Sequence, residues 1–264
     1  MSRLAIIAGR GALPAALVAA LPQAPLICAL DGFAPEGLAV DLVFRVERLA
    51  LFLRKLEDIG VTEVIFAGAV QRPRLDPALF DPQTAQMVPR LMAAMASGDD
   101  ATLREVIAIF EDFGFAVVGV ETIARDLLPS AAVLAGQITA QDEADAARAA
   151  SIVAALGAVD VGQGAVVAQG LCLGVETLGG TDAMLAVVAG LPQALRPKGG
   201  LFYKAAKPAQ DRRIDLPTLG PATVDAVAAA GLSGLCFQAG SVICLDLPEM
   251  QARAVQHGLL LWAR

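Results

Sequence analysis

Short apolar runs alternate with amphipathic stretches through the first half of the chain. Leu4 to Ala8, Pro25 to Leu30 and Val61 to Ala67 are apolar runs of strand length. Between them, Glu47 to Ile59 repeats its apolar residues at helical spacing and ends at Gly60. Buried strands that alternate with helices predict an α/β domain with a parallel, doubly wound sheet.

A glycine turn follows the first predicted strand. Gly9-Arg10-Gly11 precedes a helix that begins near Leu13. Strand, glycine turn and helix open many nucleotide-binding units, because glycine lets a ligand approach the backbone and a helix N-terminus favours anions. Pro14 takes the place of the third glycine of the dinucleotide fingerprint, so a plain strand–helix turn is an equal alternative. Gly11 and Ala12 are the candidate substrate contacts here.

Two further loops of the first half carry polar groups. Gln71 and Arg72 follow a predicted strand, and in a doubly wound sheet that loop lies at the same edge as the first glycine turn. Gly98, Asp99 and Asp100 begin a predicted helix, where carboxylates are ordinary caps as often as ligand contacts. All five are candidate substrate contacts.

Periodicity lapses from Leu128 to Gly136, where Pro, Ser and Gly cluster. We therefore predict a Rossmann-like doubly wound domain at residues 1–130 and a catalytic α/β domain at residues 131–264. In the second domain, one hairpin is predicted about Gln169-Gly170 and another about Ala239-Gly240. Hairpins are antiparallel, so the second sheet is expected to be mixed.

The most polar stretch of the second half runs from Lys204 to Asp225. Its prolines and its Gly220-Pro221 pair predict a loop followed by a helix. Lys and Arg beside Asp suit a phosphorylated substrate with a divalent cation, although a solvated, salt-bridged loop is the alternative. The candidate residues of this stretch are Lys204, Lys207, Gln210, Asp211, Arg213, Asp215, Thr223 and Asp225.

A second glycine turn lies before this stretch. Gly180, Thr181 and Asp182 begin a predicted helix, and a hydroxyl and a carboxylate there can form a phosphate or metal pocket. A glycine turn with a Thr N-cap is the alternative. Gln163, which precedes the strand of the first hairpin, is a further candidate for sugar or nucleotide contact.

Composition narrows the classes of function. The net charge of −7 argues against non-specific nucleic-acid binding. Mean hydropathy is high at +0.62, yet no apolar run reaches the roughly 18 residues of a membrane span. Arg10 and Pro14 interrupt the apolar N-terminus, which disfavours a cleaved signal peptide. We predict a cytoplasmic protein whose hydropathy suits peripheral contact with the inner-membrane surface or a lipid; no oligomeric state is indicated.

Cysteine and histidine usage limits the chemistry. The four cysteines form no C-x-x-C pair and lie in apolar runs, so we predict reduced core residues. The only histidine, His257, lies near the C-terminus, far in sequence from the charged stretch. This disfavours a His/Cys zinc site and a Ser-His-Asp triad. Any metal would be a hard ion on carboxylates.

Several motifs together resemble one family along the whole chain. They are G-x-G-x-L-P from Gly9, G-A-V from Gly68, G-D-D from Gly98, D-x-G-Q from Asp160, E-x-x-G-G-T-D-A-M from Glu176 and K-x-x-K-P-x-Q-D-x-R-x-D-x-P-x-x-G-P-x-T from Lys204. This set resembles the cytosolic UDP-2,3-diacylglucosamine pyrophosphatases of lipid A biosynthesis, of the type unrelated to the calcineurin-like phosphoesterases.

The resemblance implies hydrolysis of UDP-2,3-diacylglucosamine to UMP and 2,3-diacylglucosamine 1-phosphate. It also implies Mg²⁺ as cofactor and two domains with the lipid product held between them. The essential aspartate of the family falls on Asp225. Spacing alone does not distinguish Asp225 from Asp211 or Asp215.

The requirements of phosphoanhydride cleavage suggest a role for each of these candidates. Lys204, Lys207 and Arg213 would neutralise the pyrophosphate. Asp225 would bind the metal or activate water, and these two roles stay open. As further metal ligands we propose Asp182 and Asp211. The alternatives are a non-catalytic nucleotide-sugar binding protein and an NAD(P)-dependent oxidoreductase.

Overall fold

A computed structural model describes residues 3–71, 73–208 and 210–264. The chain divides into two compact units. The first contains Met1–Arg125 and Asp211–Asp215, and the second contains Asp126–Gln210 and Leu216–Arg264. The charged stretch therefore contributes to both units, because its five central residues group with the first.

The first unit contains a five-stranded parallel sheet with the strand order β3-β2-β1-β4-β5. Its strands are β1 (Leu4–Ala8), β2 (Leu26–Leu30), β3 (Leu42–Phe44), β4 (Glu63–Ala67) and β5 (Ala116–Val117). Its α-helices are α1 (Leu13–Ala20), α2 (Leu49–Ile59), α3 (Pro82–Ala96), α4 (Asp99–Asp112) and α5 (Val120–Ile123). This order confirms the predicted doubly wound α/β fold.

Both faces of the central strand β1 are buried, as its apolar run predicts. Ala5 and Ile7 pack in a core cluster with residues of α2 and α4, and Ile6, which points to the opposite face, is also inaccessible. A strand with no exposed face needs a neighbour on each side and helices above and below. The apolar run of β1 therefore places it at the centre of the sheet.

The loops that follow β1 and β4 meet at the carboxyl edge of this sheet, as predicted. Arg10 and Ala69 exchange two backbone hydrogen bonds of 2.9 Å. A Cβ on Gly9 would lie 2.6 Å from the Ala69 carbonyl oxygen, and one on Gly68 would lie 2.6 Å from the Arg10 carbonyl oxygen. The glycines are therefore required by the close approach of the two chains.

The second unit contains a mixed six-stranded sheet with the order β6-β13-β11-β9-β7-β8 and a separate parallel pair, β10-β12. The strands are β6 (Ala132–Ala135), β7 (Gly164–Ala168), β8 (Leu171–Val175), β9 (Leu201–Lys204), β10 (Thr218–Leu219), β11 (Gly234–Phe237), β12 (Ile243–Cys244) and β13 (Leu260–Ala263). The α-helices are α6 (Ala140–Gly157), α7 (Gly180–Ala189), α8 (Pro221–Ala229) and α9 (Leu247–His257). The predicted mixed sheet is confirmed: β9, β11 and β13 are parallel, whereas β6, β7 and β8 join antiparallel.

The first predicted hairpin is confirmed. β7 and β8 pair antiparallel about Gln169 and Gly170, whose φ angles of 49° and 80° suit a two-residue hairpin turn. The carboxylate of Asp145, which is 1% exposed, accepts the backbone N–H groups of Gln169 at 2.9 Å and of Gly170 at 2.8 Å. A buried side chain of α6 thus supplies the hydrogen-bond acceptor for both backbone N–H groups of the turn.

The second predicted hairpin is wrong. β11 lies between β9 and β13, and β12 pairs with β10 instead. All four residues of β11 are buried, and such a strand gains a parallel neighbour on each side through the crossover helices α8 and α9. The short loop at Ala239-Gly240 therefore connects two sheets.

Three of the four cysteines are buried and confirm the predicted core positions. Burial raises the pKa of the thiols of Cys28, Cys236 and Cys244 to about 12, so they remain protonated. Cys172 is exposed on the edge strand β8, which contradicts the prediction for that residue. None of the helices in the described residues has the length and hydropathy that a bilayer-spanning segment requires.

Candidate active site

A buried ion pair lies at the carboxyl end of β9. The ammonium Nζ of Lys204 donates to Glu176 Oε2 at 2.7 Å and to Thr181 Oγ1 at 2.6 Å. The Thr181 hydroxyl in turn donates to Glu176 Oε2 at 2.8 Å. Lys204 and Glu176 are 6% and 9% exposed. We call these three residues the Lys204 cluster. Buried charges that are retained in an apolar sheet mark a candidate functional site.

Two glycines make room for Glu176. A Cβ on Gly162 would lie 2.0 Å from the Glu176 carbonyl oxygen, and one on Gly164 would lie 2.8 Å from its Oε2. The backbone N–H of Glu176 also donates to the Gly164 carbonyl at 2.8 Å. The D-x-G-Q motif therefore has a steric role, since its glycine lets β8 end directly against the chain that precedes β7.

The second glycine turn connects β8 to α7 beside the Lys204 cluster. Gly180 has a φ of 76°, and a Cβ there would meet no atom within 4 Å. Gly179 stands at the N-cap of α7, so no side chain caps the helix. A cavity of about 190 Å³ is lined by Thr177, Gly179 and Gly180 of this turn and by apolar residues of α7 and β8. The predicted residue Asp182 is exposed in the first turn of α7.

A second set of polar side chains comes from the segments that precede β7 and follow β9. Gln163 Nε2 donates to Gln210 Oε1 at 3.2 Å, and the backbone N–H of Lys207 donates to the same oxygen at 2.9 Å. The Lys207 ammonium pairs with Asp160 Oδ1 at 2.5 Å. The structure therefore brings together three sequence-predicted residues, Gln163, Lys207 and Gln210. The acidic partner Asp160 was not predicted as a site residue.

The predicted residues Asp211, Arg213 and Asp215 belong to the first unit. Arg213 forms a forked pair with Asp211, with Nε–Oδ1 at 3.0 Å and Nη2–Oδ2 at 2.7 Å, and its Nη1 donates to Glu111 at 2.7 Å. Hydrogen bonds from Arg213 hold the pKa of the Asp211 carboxyl below its usual value. The Arg213 charge is therefore compensated by two carboxylates.

Asp225 lies on α8 and contacts two side chains of α9, Arg253 and His257. Its carboxylate accepts a hydrogen bond from the Arg253 guanidinium, with which it forms an ion pair, and its Oδ1 lies 2.9 Å from His257 Nε2. Arg253 Nε also donates to Glu249 at 2.8 Å. We call Asp225, Arg253 and His257 the Asp225 cluster. The hydrogen bond with His257 first, and then that with Arg253, holds the pKa of the Asp225 carboxyl below its usual value.

This arrangement corrects the expectation drawn from the position of the histidine. His257 is 32 residues from Asp225 in sequence, yet it is a direct partner of that carboxylate. The first turn of α8 holds another predicted residue, Thr223, whose hydroxyl oxygen accepts the Gly220 backbone N–H at 3.4 Å. Thr223 thus lies at the start of the helix that presents Asp225.

The remaining predicted residues belong to the first unit. Gly11 has a φ of 95° in the first glycine turn, and Ala12 is the N-cap of α1. Gln71 is exposed after β4, whereas Arg72 lies outside the described residues. Gly98 has a φ of 123° before α4; Asp99 and Asp100 occupy the first turn of that helix, where Asp100 pairs with Arg104 at 2.6 Å. Their substrate contacts stay predictions.

Besides Asp160, Arg253 and His257, sequence reasoning missed Glu176 and Arg10. Glu176 was part of a quoted motif but not a predicted site residue; its signal is that it is one of only two carboxylates between residues 164 and 195. Arg10 was noted only as part of the glycine turn. Its Nη2 donates to the Gly32 carbonyl at 2.9 Å, and its guanidinium lies 5.4 Å from the centre of the Phe33 ring.

The donor set does not suit a metal ion held by the protein alone. Within residues 3–71, 73–208 and 210–264, no three His, Cys, Asp or Glu side chains lie close enough to hold an ion together. Both oxygens of Asp211 face Arg213, and those of Asp225 face Arg253 and His257. Mg²⁺ commonly takes one or two carboxylates and completes its shell with substrate phosphates and water. Only that kind of site fits these residues.

The fold and the two clusters define an α/β protein of two domains, one Rossmann-like and one with buried ionic groups at the end of a mixed sheet. Residues 3–127 match the model of the LpxI N-terminal domain, and residues 129–262 match that of the LpxI C-terminal domain. The chain is 36% identical to the UDP-2,3-diacylglucosamine pyrophosphatase LpxI of Caulobacter vibrioides over 275 aligned positions. The alignment covers 99% of this chain and 97% of the relative. The chain belongs to the LpxI family, which confirms the resemblance found in its motifs.

Proposed function

We propose that this protein hydrolyses the pyrophosphate bond of UDP-2,3-diacylglucosamine in lipid A biosynthesis, with UMP and 2,3-diacylglucosamine 1-phosphate as the products. The observation that carries this proposal is the match to both LpxI domains, together with the identity to the Caulobacter vibrioides pyrophosphatase across nearly the whole of both chains. A match to one domain alone would support the family assignment of only about half of the chain.

The chemistry of the reaction suits the polar groups of the second unit. Cleavage of a phosphoanhydride needs cations for the phosphate oxygens, an oriented water and a stabilised leaving phosphate. Two of the three N–H donors of Lys204 are used by Glu176 and Thr181. We assign its third donor to a substrate oxygen. Lys207 is ion-paired with Asp160, so it would neutralise the pyrophosphate by exchanging this carboxylate for a phosphate. The same role for Arg213, which belongs to the first unit, stays a prediction.

The lowered pKa of Asp225 bears on its role. A carboxylate that is stabilised by His257 and Arg253 is a weak base near neutral pH. We therefore favour an electrostatic or metal-binding role for Asp225 over proton abstraction from water. As a base, Asp225 would first have to lose its contact with Arg253 or His257.

Magnesium dependence is a further part of the proposal. Mg²⁺ would be held mainly by the pyrophosphate, with Asp225 or Asp182 as the protein ligand. When bound, the ion would supply a Lewis acid that neutralises charge on the phosphate oxygens. Asp211 is the weakest of the predicted ligands, because Arg213 occupies both of its oxygens.

Turnover of purified protein with UDP-2,3-diacylglucosamine tests the proposal. We expect release of UMP and of the diacylglucosamine phosphate, both measured by mass spectrometry. Binding of the substrate without UMP release would contradict hydrolysis and favour a nucleotide-sugar binding protein. EDTA should stop turnover and Mg²⁺ should restore it; full activity in EDTA would contradict the metal requirement alone.

A further inference from the structure

We propose that Glu176 is a positioning residue of the active site, which aligns Lys204 and Thr181 with the substrate and holds the glycine turn that forms one wall of the adjacent cavity. This inference rests on the proposed function, because it concerns the same reaction. Glu176 itself contacts neither the substrate nor the reacting atoms in this proposal.

Two of the three hydrogen bonds of the Lys204 cluster converge on one atom. Glu176 Oε2 accepts the Lys204 ammonium at 2.7 Å and the Thr181 hydroxyl at 2.8 Å. Lys204 also donates to Thr181 Oγ1, so the direction of the hydroxyl proton is determined: it points at Glu176. The ammonium of Lys204 and the hydroxyl of Thr181 therefore depend on the same carboxylate oxygen for their orientation.

The surroundings of Glu176 are built to keep it in this position. Gly162 and Gly164 lack the side chains that would collide with it, and the Gly164 carbonyl accepts its backbone N–H at 2.8 Å. The residue is 9% exposed. A buried carboxylate costs hydration energy, and an apolar residue would fill this space without that cost. Its retention beside a buried lysine therefore indicates a task beyond packing.

Glu176 also connects the cluster to the cavity. It directly precedes the turn whose residues Thr177, Gly179 and Gly180 line the cavity of about 190 Å³. Thr181, at the other end of this turn, is bonded back to Glu176 over five residues. The hydrogen bond thus closes the turn as a short loop and fixes the backbone that faces the cavity.

A double-mutant cycle on turnover tests this inference. Glu176→Gln keeps the size of the side chain and removes its charge, and Thr181→Val keeps the shape and removes the hydroxyl. We expect each to lower kcat/KM for UDP-2,3-diacylglucosamine at least tenfold, and the double variant to be no worse than the poorer single variant. Such non-additivity is the mark of residues that act through one contact. Thr181→Ser, which retains the hydroxyl, should remain within about threefold of the wild type.

Asp145→Asn is the matched control, because Asp145 is a second buried carboxylate of the same unit that caps the β7–β8 turn instead. It should lower the melting temperature and leave kcat/KM of the folded fraction unchanged. If folded Glu176→Gln kept the wild-type kcat/KM, or if the effects of the two substitutions on kcat/KM were additive, the positioning role of Glu176 would be wrong. The proposed function would not be affected by either result. If Glu176→Gln does not fold, equal kcat/KM in Thr181→Val and Thr181→Ser would overturn it. No UMP release by the wild type would overturn the proposed function and this inference with it.

Discussion

The Lys204 cluster and the Asp225 cluster use the same chemistry in different surroundings. In the first, the side chains of Lys204 and Glu176 are 7% and 11% exposed; in the second, those of Arg253 and Asp225 are 34% and 42% exposed. A buried pair gives up the hydration of both ions, whereas an exposed pair keeps most of it. Removing one partner of the buried cluster therefore leaves a charge without water, while the exposed cluster can exchange its partners for a ligand.

The largest effect that this comparison predicts is on turnover, from a change in the exposed cluster. Asp225→Asn keeps the shape of the side chain and removes its charge. We expect kcat to fall at least about a hundredfold, with the substrate Kd within about tenfold, because in the proposed mechanism the charge acts mainly in the transition state. Steady-state kinetics and direct binding of the substrate measure the two effects.

A matched control for Asp225 is Asp112, an exposed aspartate in the first unit that pairs with Arg90 at 2.9 Å. Asp112→Asn removes the same kind of ion pair and should leave kcat unchanged. If Asp225→Asn kept wild-type kcat, Asp225 would have no part in the mechanism. If both variants lost activity alike, the loss would reflect surface charge and not a specific role.

The second effect is on stability, and it should come from the buried cluster. Lys204→Met leaves Glu176 buried without its cation, which costs about 3–5 kcal/mol of unfolding free energy. Lys204→Met with Glu176→Gln should recover most of this loss, since no unpaired charge then remains. The only tryptophan, Trp262, lies in β13, so its fluorescence during urea unfolding reports on the second unit.

Arg253→Met makes the equivalent change in the exposed cluster and serves as the comparison. We expect a far smaller shift of the unfolding midpoint than with Lys204→Met, because Asp225 stays hydrated. Equal shifts in the two variants would contradict the distinction between a buried cluster and an exposed, exchangeable one. No recovery in the double variant would mean that Lys204 stabilises the fold by packing and not by its charge.

Local patterns predicted most of the elements of this fold. The apolar runs at β1, β2 and β4 and the Gln169-Gly170 turn each carry their own signal, because an apolar run and a residue pair that adopts positive φ can be read from the local sequence. The second hairpin failed for a reason that is not local. A short glycine loop suits both a hairpin and a connection between sheets, and the burial of β11 decided between them.

The site was less accessible to sequence reasoning, since ion-pair partners are chosen by tertiary structure. Lys204 and Asp225 were predicted, but their partners Glu176 and His257 lie 28 and 32 residues away. Nothing in the charged stretch indicated that Asp211–Asp215 would group with the first unit. The sequence identifies charged side chains that are candidates for a site. Whether such a side chain is buried, and which partner it has, depends on how the strands and helices pack.

The smallest predicted effect is the dependence of the exposed cluster on pH and salt. The folded-state pKa of Asp225 is lowered, so its pairing stabilises the fold above the unfolded-state pKa of about 4 and is lost as the pH falls through the folded-state value. The stability difference between wild type and Asp225→Asn should therefore shrink between pH 5 and pH 3. It should also shrink in about 1 M salt, where exposed charges are screened within about 3 Å, whereas the effect of Lys204→Met should persist. Trp262 fluorescence in urea measures both, and a salt-independent Asp225→Asn effect would mean that the Asp225 cluster behaves as a buried pair.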